Sequence, residues 1–481
     1  MKAILLATLA ACASPQFGTG SNPQWIADTS SYTPALAGKP SFVDPYRDVA
    51  GKIIAAARAD RGAYQKLQHL TDRIGHRLSG SPQLDEAIAW AAATMKADGH
   101  DTRLEPVMVP HWVRGAEEAS IVTPVARPLG IIGLGGTIPT PKGGITAPVI
   151  VIRSFDELDR RSAEVKGKLV LYDVAMPAWS EAKGSGYGEV ARYRTRGAQF
   201  AAKHGAVGVL MRSVTAHSLR LPHTGAMGYD AAIPKIPAAA VTVEDSLLIA
   251  RLAEQGPVTV KLSLDNKTLP DARSANVIGE LRGRDRPDEI VVIGAHIDSW
   301  DVGQGANDDG AGCVIMMQAL TTLKKLNLQP RRTIRVVLFT NEENGLRGGR
   351  QYAEDHAAEM PKTVFAVESD SGSFAPRGFG IETKPEVTGK VVSKVSEIAS
   401  LLAPIRATQV KASHGGADVG QMISKGVPTA GLDVDGRTYF DTHHTEADTL
   451  DKVDPANLAD NVAAIAVLAY VIADMPGRVD E

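Results

Sequence analysis

From about residue 271 onward, apolar residues fall into short continuous runs separated by stretches of helical spacing. That alternation predicts an α/β domain built on a mixed, largely parallel sheet flanked by helices. Residues 289–295, 333–340 and 363–367 read as buried strands. Residues 310–326 read as a helix with Val314, Met317, Leu320 and Leu323 near one face, and 458–475 as a C-terminal helix. Ahead of residue 116 the spacing predicts helices over 55–70 and 84–96, the second closed by Gly99, with a loop over 75–81 between them. Residues 116–270 differ. Short β-like runs at 148–152, 168–172, 207–211, 238–243 and 258–264 alternate with Gly and Pro clusters, with one helix over 190–204.

These changes divide the chain into a leader over 1–13, a Ser-, Pro-, Thr- and Gly-rich arm over 14–45, a first part of the main domain over 46–115, an inserted β-rich domain over 116–270, and the rest of the main domain over 271–479. Met1-Lys2 and the apolar run over 3–11 have the form of a short secretory signal. Leu9-Ala10-Ala11-Cys12 also has the form of a lipoprotein cleavage box, which would place a lipid on Cys12. The expected product is exported, either periplasmic or secreted, and either free or tethered through Cys12. No other stretch approaches the length needed to span a bilayer, so no integral membrane segment is expected.

Composition narrows the chemistry. The 52 Lys and Arg against 55 Asp and Glu leave a formal charge of −3, which gives no overall basic face for nucleic acid. The two cysteines, Cys12 and Cys313, cannot supply a disulfide framework or a thiolate metal site, and Cys313 reads as packing. Any metal must therefore be held by imidazole and carboxylate.

Three of the expected strands run directly into such groups. Residues 289–295 lead into His296-Ile297-Asp298, residues 333–340 into Asn341-Glu342-Glu343, and residues 363–367 into Glu368-Ser369-Asp370. In open α/β sheets the ligand crevice lies beyond the carboxyl ends of the strands. Gly303-Gln304-Gly305-Ala306-Asn307-Asp308-Asp309-Gly310 leads into the helix expected over 310–326, and His443-His444-Thr445-Glu446-Ala447-Asp448-Thr449 comes late in the chain. This donor set suits zinc or a similar divalent ion. There is no Gly-x-Ser-x-Gly and no His-Glu-x-x-His, and Gly303-x-Gly305 lacks a third glycine at Asp308.

In this order, His296-x-Asp298, Asp308-Asp309-Gly310, Glu342-Glu343, Glu368-Ser369-Asp370 and His444-Thr-x-x-Asp448-Thr449 resemble the co-catalytic zinc aminopeptidase and glutamate carboxypeptidase family. Gly75-His76-Arg77-Leu78-Ser79-Gly80 and Ser413-His414-Gly-Gly-Ala-Asp418 share the resemblance, which covers roughly residues 46–475. It implies a zinc-exopeptidase fold in which 116–270 is similar to a protease-associated domain. It also implies two zinc ions: His296 and Asp370 on one, Glu343 and His444 on the other, and Asp308 bridging, with a cis peptide after Asp308. Glu342 would be the general base, His443 an oxyanion donor in place of the family's usual tyrosine, and Asp298 a support fixing the His296 tautomer. The implied substrates are dipeptides or short peptides, and the implied assembly is a homodimer.

Around this core the readings divide. His414 is a candidate substrate-binding residue or part of a hydrogen-bonded loop. Arg347 and Arg350 could anchor a substrate carboxylate, but read better as a solvated helix face. A receptor that has lost its metal ligands and a single-zinc acyltransferase such as a glutaminyl cyclase are the competing functions. The intact ligand set disfavours the first and the paired ligands the second.

Overall fold

Two eight-stranded sheets organise residues 41–481, the part of the chain described by a computed structural model. The leader over 1–13, Cys12 and the arm up to residue 40 lie outside the described residues. The first sheet begins with β1 (Asp101–Val113). The second sheet then forms from β2 (Glu117–Thr123), β3 (Arg127–Leu129), β4 (Ile131–Gly133), β5 (Ile145–Ile152), β6 (Leu169–Tyr172), β7 (Gly208–Arg212), β8 (Ala238–Val241) and β9 (Thr259–Leu264). The chain then returns to the first sheet as β10 (Lys267–Leu281), β11 (Arg286–His296), β12 (Arg332–Phe339), β13 (Thr363–Glu368), β14 (Pro376–Glu382), β15 (Gln409–Ala412) and β16 (Thr429–Val434).

The first sheet has the order β1-β10-β12-β11-β13-β16-β14-β15. Its centre, β12-β11-β13-β16, is parallel, and antiparallel pairings attach β10 to β12 and β14 to β16. The central strands are covered on both faces, which is why their apolar runs are continuous rather than alternating. Val292, Val337, Phe339 and Ala366 pack on one side with Tyr352, Val419 and Met422. The helices Ala311–Lys325 and Pro455–Asp474 pack against each other and against β11 and β12.

Several expectations need correction. The single helix over 55–70 is two, Arg47–Ala59 and Gly62–His69, broken at the extended Asp60, whose Oδ1 accepts a 2.6 Å hydrogen bond from the Gly62 N–H. Ala311–Lys325 is buried on every face from Ala311 to Leu323 rather than along one stripe, as a helix apolar all round must be. Pro455–Asp474 is 20 residues long with a mean hydropathy of 1.7 over 18 of them, so one helix among the described residues does reach membrane-spanning length, where none was expected. It is 72% buried inside the protein, and that burial accounts for its composition.

The second sheet, β3-β2-β9-β5-β6-β7-β8-β4, is parallel over β5-β6-β7-β8. It carries helices at Phe155–Arg160 and Val243–Ala253 besides the expected one, Tyr187–Lys203. The first of these had a legible start. Ser154 Oγ accepts from the Glu157 N–H, and Glu157 reaches back to the Arg153 N–H at 2.7 Å, a variant of the capping box. The long ribbon of β1 and β10 escaped the pattern because Leu104 and Met108 point apolar side chains outward, about half exposed.

Candidate metal centre

The register of the parallel strands assembles the site. Gly294 of β11 pairs with Glu368 of β13, and His296 with Phe339 of β12, so the polar segments after all three strands emerge side by side. Between His296 and the long helix, the 297–305 loop wraps a buried side chain. The Arg77 guanidinium donates to the carbonyls of Ile297 (2.8 Å), Gly75 (2.8 Å), Gln304 (2.8 Å) and Gly305 (3.0 Å). Gly305 has φ +57°, and a Cβ there would stand 2.9 Å from Arg77 Nη2 and 2.5 Å from the Ser299 Cβ, so glycine is required. The Asp308–Asp309 peptide that follows is cis.

Asp308 sits at the middle of a chain of metal-compatible atoms. Its Oδ1 lies 3.3 Å from His296 Nε2, which is itself 3.3 Å from Asp370 Oδ1. Its Oδ2 lies 3.2 Å from His444 Nε2, which is 3.1 Å from Glu343 Oε2. Each oxygen of one carboxylate thus faces a different imidazole, and each imidazole faces a further carboxylate. Asp308 Oδ2 and Glu343 Oε1 are buried without a hydrogen-bond partner, which buried polar atoms rarely tolerate. His443 stacks on His444 with ring centroids 3.5 Å apart, and its Nε2 is 3.6 Å from Asp308 Oδ2. Ligand atoms of three overlapping groups, Asp308/His443/His444, His296/Asp308/Glu343 and His296/Asp309/Asp370, lie within 4.8 Å of one another. Asp309 is already occupied: its carboxylate accepts the N–H groups of His296 (3.2 Å) and Gly312 (3.0 Å).

The electrostatics are those of a pocket that wants a cation. Burial, with the charges of Asp370, Glu343 and Asp418, holds Glu342 well above the usual carboxylate range. Burial and Asp308 push Glu343 up to about 7. Burial opposes ionisation of the two imidazoles but is outweighed, by Asp370, Asp298 and Asp308 at His296, and by Glu343 and Asp308 at His444, which is pushed up to about 10. At Asp308 burial is outweighed by His296 and His444, and it stays well below the ordinary value. His443 is held well below its ordinary value by burial and by His444.

Of the residues singled out from the sequence, Asp308, Glu342, Glu343, Asp370, His414, His443 and His444 line one cleft of about 870 Å³. His296 lies beneath it, fully buried. His414 is exposed at this cleft, where its Nδ1 accepts the Gly416 N–H. Asp298 has a larger task than the expected one. His296 Nδ1 is 3.1 Å from the Asp298 backbone oxygen and 3.7 Å from its carboxylate, while that carboxylate accepts the N–H groups of Glu342 (3.0 Å) and Glu343 (3.3 Å). Arg347 bonds Asp271 and the Met108 carbonyl, and Arg350 is an exposed lining residue of the cleft.

Four contributors were missed as roles. Asp448 accepts the N–H groups of Asn307 (2.8 Å) and Asp308 (3.1 Å), and so holds the backbone of the central carboxylate. Glu368 accepts from Ala417, Asp418 and Val419, fixing the loop that carries His414. Arg194 and Tyr187, from the second layer, form part of the cleft wall. Asp448 and Glu368 stood inside the motifs that carry the family resemblance, whereas nothing in the sequence pointed to Arg194.

Comparison with known proteins identifies the family. The profile of peptidase family M28 matches residues 276–469. Carboxypeptidase Q of Mus musculus is 42% identical over 437 residues, 89% of this chain and 90% of that protein, and carboxypeptidase Q of Homo sapiens is 41% identical over 435 residues, 89% of each. Among solved structures, a peptidase M28 precursor from Shewanella amazonensis superposes with a TM-score of 0.86 at 38% identity, covering 91% of this chain and 98% of its own. A zinc aminopeptidase of Bacillus subtilis shares the fold at a TM-score of 0.64 and 21% identity, over 87% of this chain and 96% of its own. The chain is a peptidase of family M28, in the branch that holds carboxypeptidase Q.

Proposed function

We propose that this peptidase is an exopeptidase that hydrolyses dipeptides or short peptides at a site holding two zinc ions. The observation that carries the reading is Asp308, whose two oxygens face His296 and His444 separately, flanked by Asp370 and Glu343. These five side chains fit a bridged ion pair: all donors are imidazole or carboxylate, and the buried Asp308 Oδ2 and Glu343 Oε1 lack a hydrogen-bond partner. Zinc bound there would acidify an attacking water and polarise the scissile carbonyl.

The chain's own residues supply the rest. Glu342 lies in the cleft beside the ligands with a raised proton affinity, which suits a group that accepts a proton from water and returns it to the leaving amine. Its backbone is held by Asp298, so its carboxylate is presented from a fixed peptide. His443, packed between Tyr439 and His444, would donate an N–H to the developing oxyanion. The 116–270 layer acts as a protease-associated-like domain that walls the cleft through Tyr187 and Arg194. The leader-like run over 3–11 supports export.

Metal content per chain by elemental mass spectrometry, with hydrolysis of a dipeptide panel before and after chelation, tests the reading. Two zinc ions and activity that chelation removes and zinc restores are expected. Glu342→Ala should retain the metal and lose at least about a thousandfold in hydrolysis. A folded chain that takes up no metal and cleaves nothing would replace the peptidase reading with the receptor one.

A further inference from the structure

The two imidazoles of the metal centre are both steered from behind, but from different layers. His296 Nδ1 is 3.1 Å from the backbone oxygen of Asp298, two residues along its own loop. His444 Nδ1 is 3.3 Å from the backbone oxygen of Thr224, which lies between β7 and β8 of the second sheet. A carbonyl only accepts, so this contact puts the proton on Nδ1 and leaves the lone pair on Nε2. Nε2 is the nitrogen that faces Asp308 and Glu343. The Thr224 N–H also donates to the His444 carbonyl at 3.0 Å, so one residue holds His444 at the ring and at the backbone. That backbone needs holding: His444 has φ +61°, a left-handed conformation that residues other than glycine seldom adopt.

Thr224 is itself fixed. Fully buried, it donates its Oγ1 hydrogen to the Gly133 carbonyl at 2.9 Å and accepts from Arg114 Nη2 at 3.3 Å. The same guanidinium grips Asp301 through Nε (2.9 Å) and Nη2 (2.8 Å), and meets Glu117 (3.1 Å) and the Gly133 carbonyl (2.7 Å) through Nη1. Asp301 belongs to the loop joining His296 to Asp308, whereas Glu117, Gly133 and Thr224 belong to the second layer. Arg114 stands where the chain crosses from β1 to β2, and so ties the layers at their junction. Beside Asp301, Trp300 tilts against the His444 ring at 5.6 Å between centroids. A Cβ on Gly135 of the second layer would stand 1.9 Å from Trp300 Cη2, so the layer is cut away to admit that indole.

Resting on the two-zinc reading above, we infer that Thr224 is a positioning residue for the zinc ion held by Glu343 and His444. Retention of that ion, unlike the one held by His296 and Asp370, then depends on the docking of the 116–270 layer. His296 takes its tautomer from a carbonyl of the main domain, and His444 imports its own from the inserted one. The second layer is in this sense a part of the metal centre as well as a wall of the cleft.

Zinc retention by the full chain, measured by competition with a graded series of chelators and by elemental analysis of the metal that remains, tests this. Thr224→Val removes the hydroxyl and keeps the volume. One of the two ions should weaken about 10–100-fold, the usual effect of disturbing a group behind a metal-binding histidine, while the other keeps wild-type affinity. Thr224→Ser, which restores the hydroxyl, should return the weakened ion to near wild-type retention. Hydrolysis by Thr224→Val should fall at limiting zinc and recover in excess zinc. In a His444→Ala background Thr224→Val should have no further effect on retention, because the ring it steers is gone. Wild-type affinity for both ions in Thr224→Val, weakening of both alike, or an equal loss with and without His444 would overturn the inference. A wild-type chain that binds fewer than two zinc ions would instead strike the two-zinc reading. If Thr224→Val does not fold, Arg114→Lys decides by the same measures, since it keeps the cation but not the fork that reaches Asp301 and Thr224 together.

Discussion

The Arg77 clamp makes a demanding prediction because its cost can be worked out from contacts. The side chain is fully buried and bonds four carbonyls, three of which belong to the loop joining His296 to Asp308. Removing a charged donor costs about 1.5–3 kcal/mol per hydrogen bond. Arg77→Met also relieves the desolvation of a buried cation, an opposing effect of several kcal/mol. The nearby charges of Asp448, Asp298 and Asp309 favour the cation and limit that relief. The Gly305 carbonyl keeps a second partner in the Gly310 N–H, so three carbonyls are stranded rather than four. The net loss should be about 3–5 kcal/mol, three stranded carbonyls at about 1.5–3 kcal/mol each less that relief.

Arg77→Lys separates charge from shape. It keeps the cation but replaces a planar fork with three donors on a single atom, so carbonyls on two sides of the guanidinium cannot all be reached. A loss of about 1–3 kcal/mol is expected. The assay is hydrogen–deuterium exchange followed by mass spectrometry over residues 297–309, with bound metal measured on the same samples. Exchange in that segment should rise in both variants, more in Met than in Lys, while the second sheet stays unchanged. Metal retention should fall in the same order. Wild-type protection of 297–309 in Arg77→Met would refute the clamp outright.

Other residues give sharper local tests. Asp448→Asn sets an amide against two backbone N–H groups that need acceptors, and metal affinity measured by chelator competition should drop about 10–100-fold in a folded protein. Asp298→Asn loosens the peptides of Glu342 and Glu343 together, so hydrolysis should fall by a similar factor; unchanged turnover would show that the carboxylate is dispensable. At His356, burial lowers the pKa but is outweighed by Glu105 and Glu359, at 3.0 Å each, so the folded value lies above the unfolded one. The stabilisation is therefore complete below about pH 6.5 and is lost as pH rises through the raised folded value. The melting-temperature gap between wild type and His356→Gln should shrink from about pH 6 to 9, and a constant gap would contradict the sign.

The central part of the fold and the cluster of metal-compatible residues were readable because their residue types conflict with their surroundings. A strand buried on both faces that ends in His296, Glu342-Glu343 or Glu368-Ser369-Asp370 has no local reason to place acids there, and the parallel register of β11, β12 and β13 gives them a common destination. The β1–β10 ribbon was hidden for the opposite reason: its outward Leu104 and Met108 erase the alternation that marks a half-buried strand. Arg194 was hidden because only the packing of the second layer brings it to the cleft.

The supporting groups share a further property. Arg77, Asp298, Asp448 and Glu368 all do their work on peptide N–H or carbonyl groups rather than on other side chains. A side chain paired with a side chain leaves two complementary residue types in a sequence, and the pair can be noticed. One paired with the backbone leaves a single residue, since every position carries a peptide group. The metal-compatible residues of this cluster therefore stood out by their chemistry, whereas the groups that hold their backbone became visible only once the backbone had coordinates.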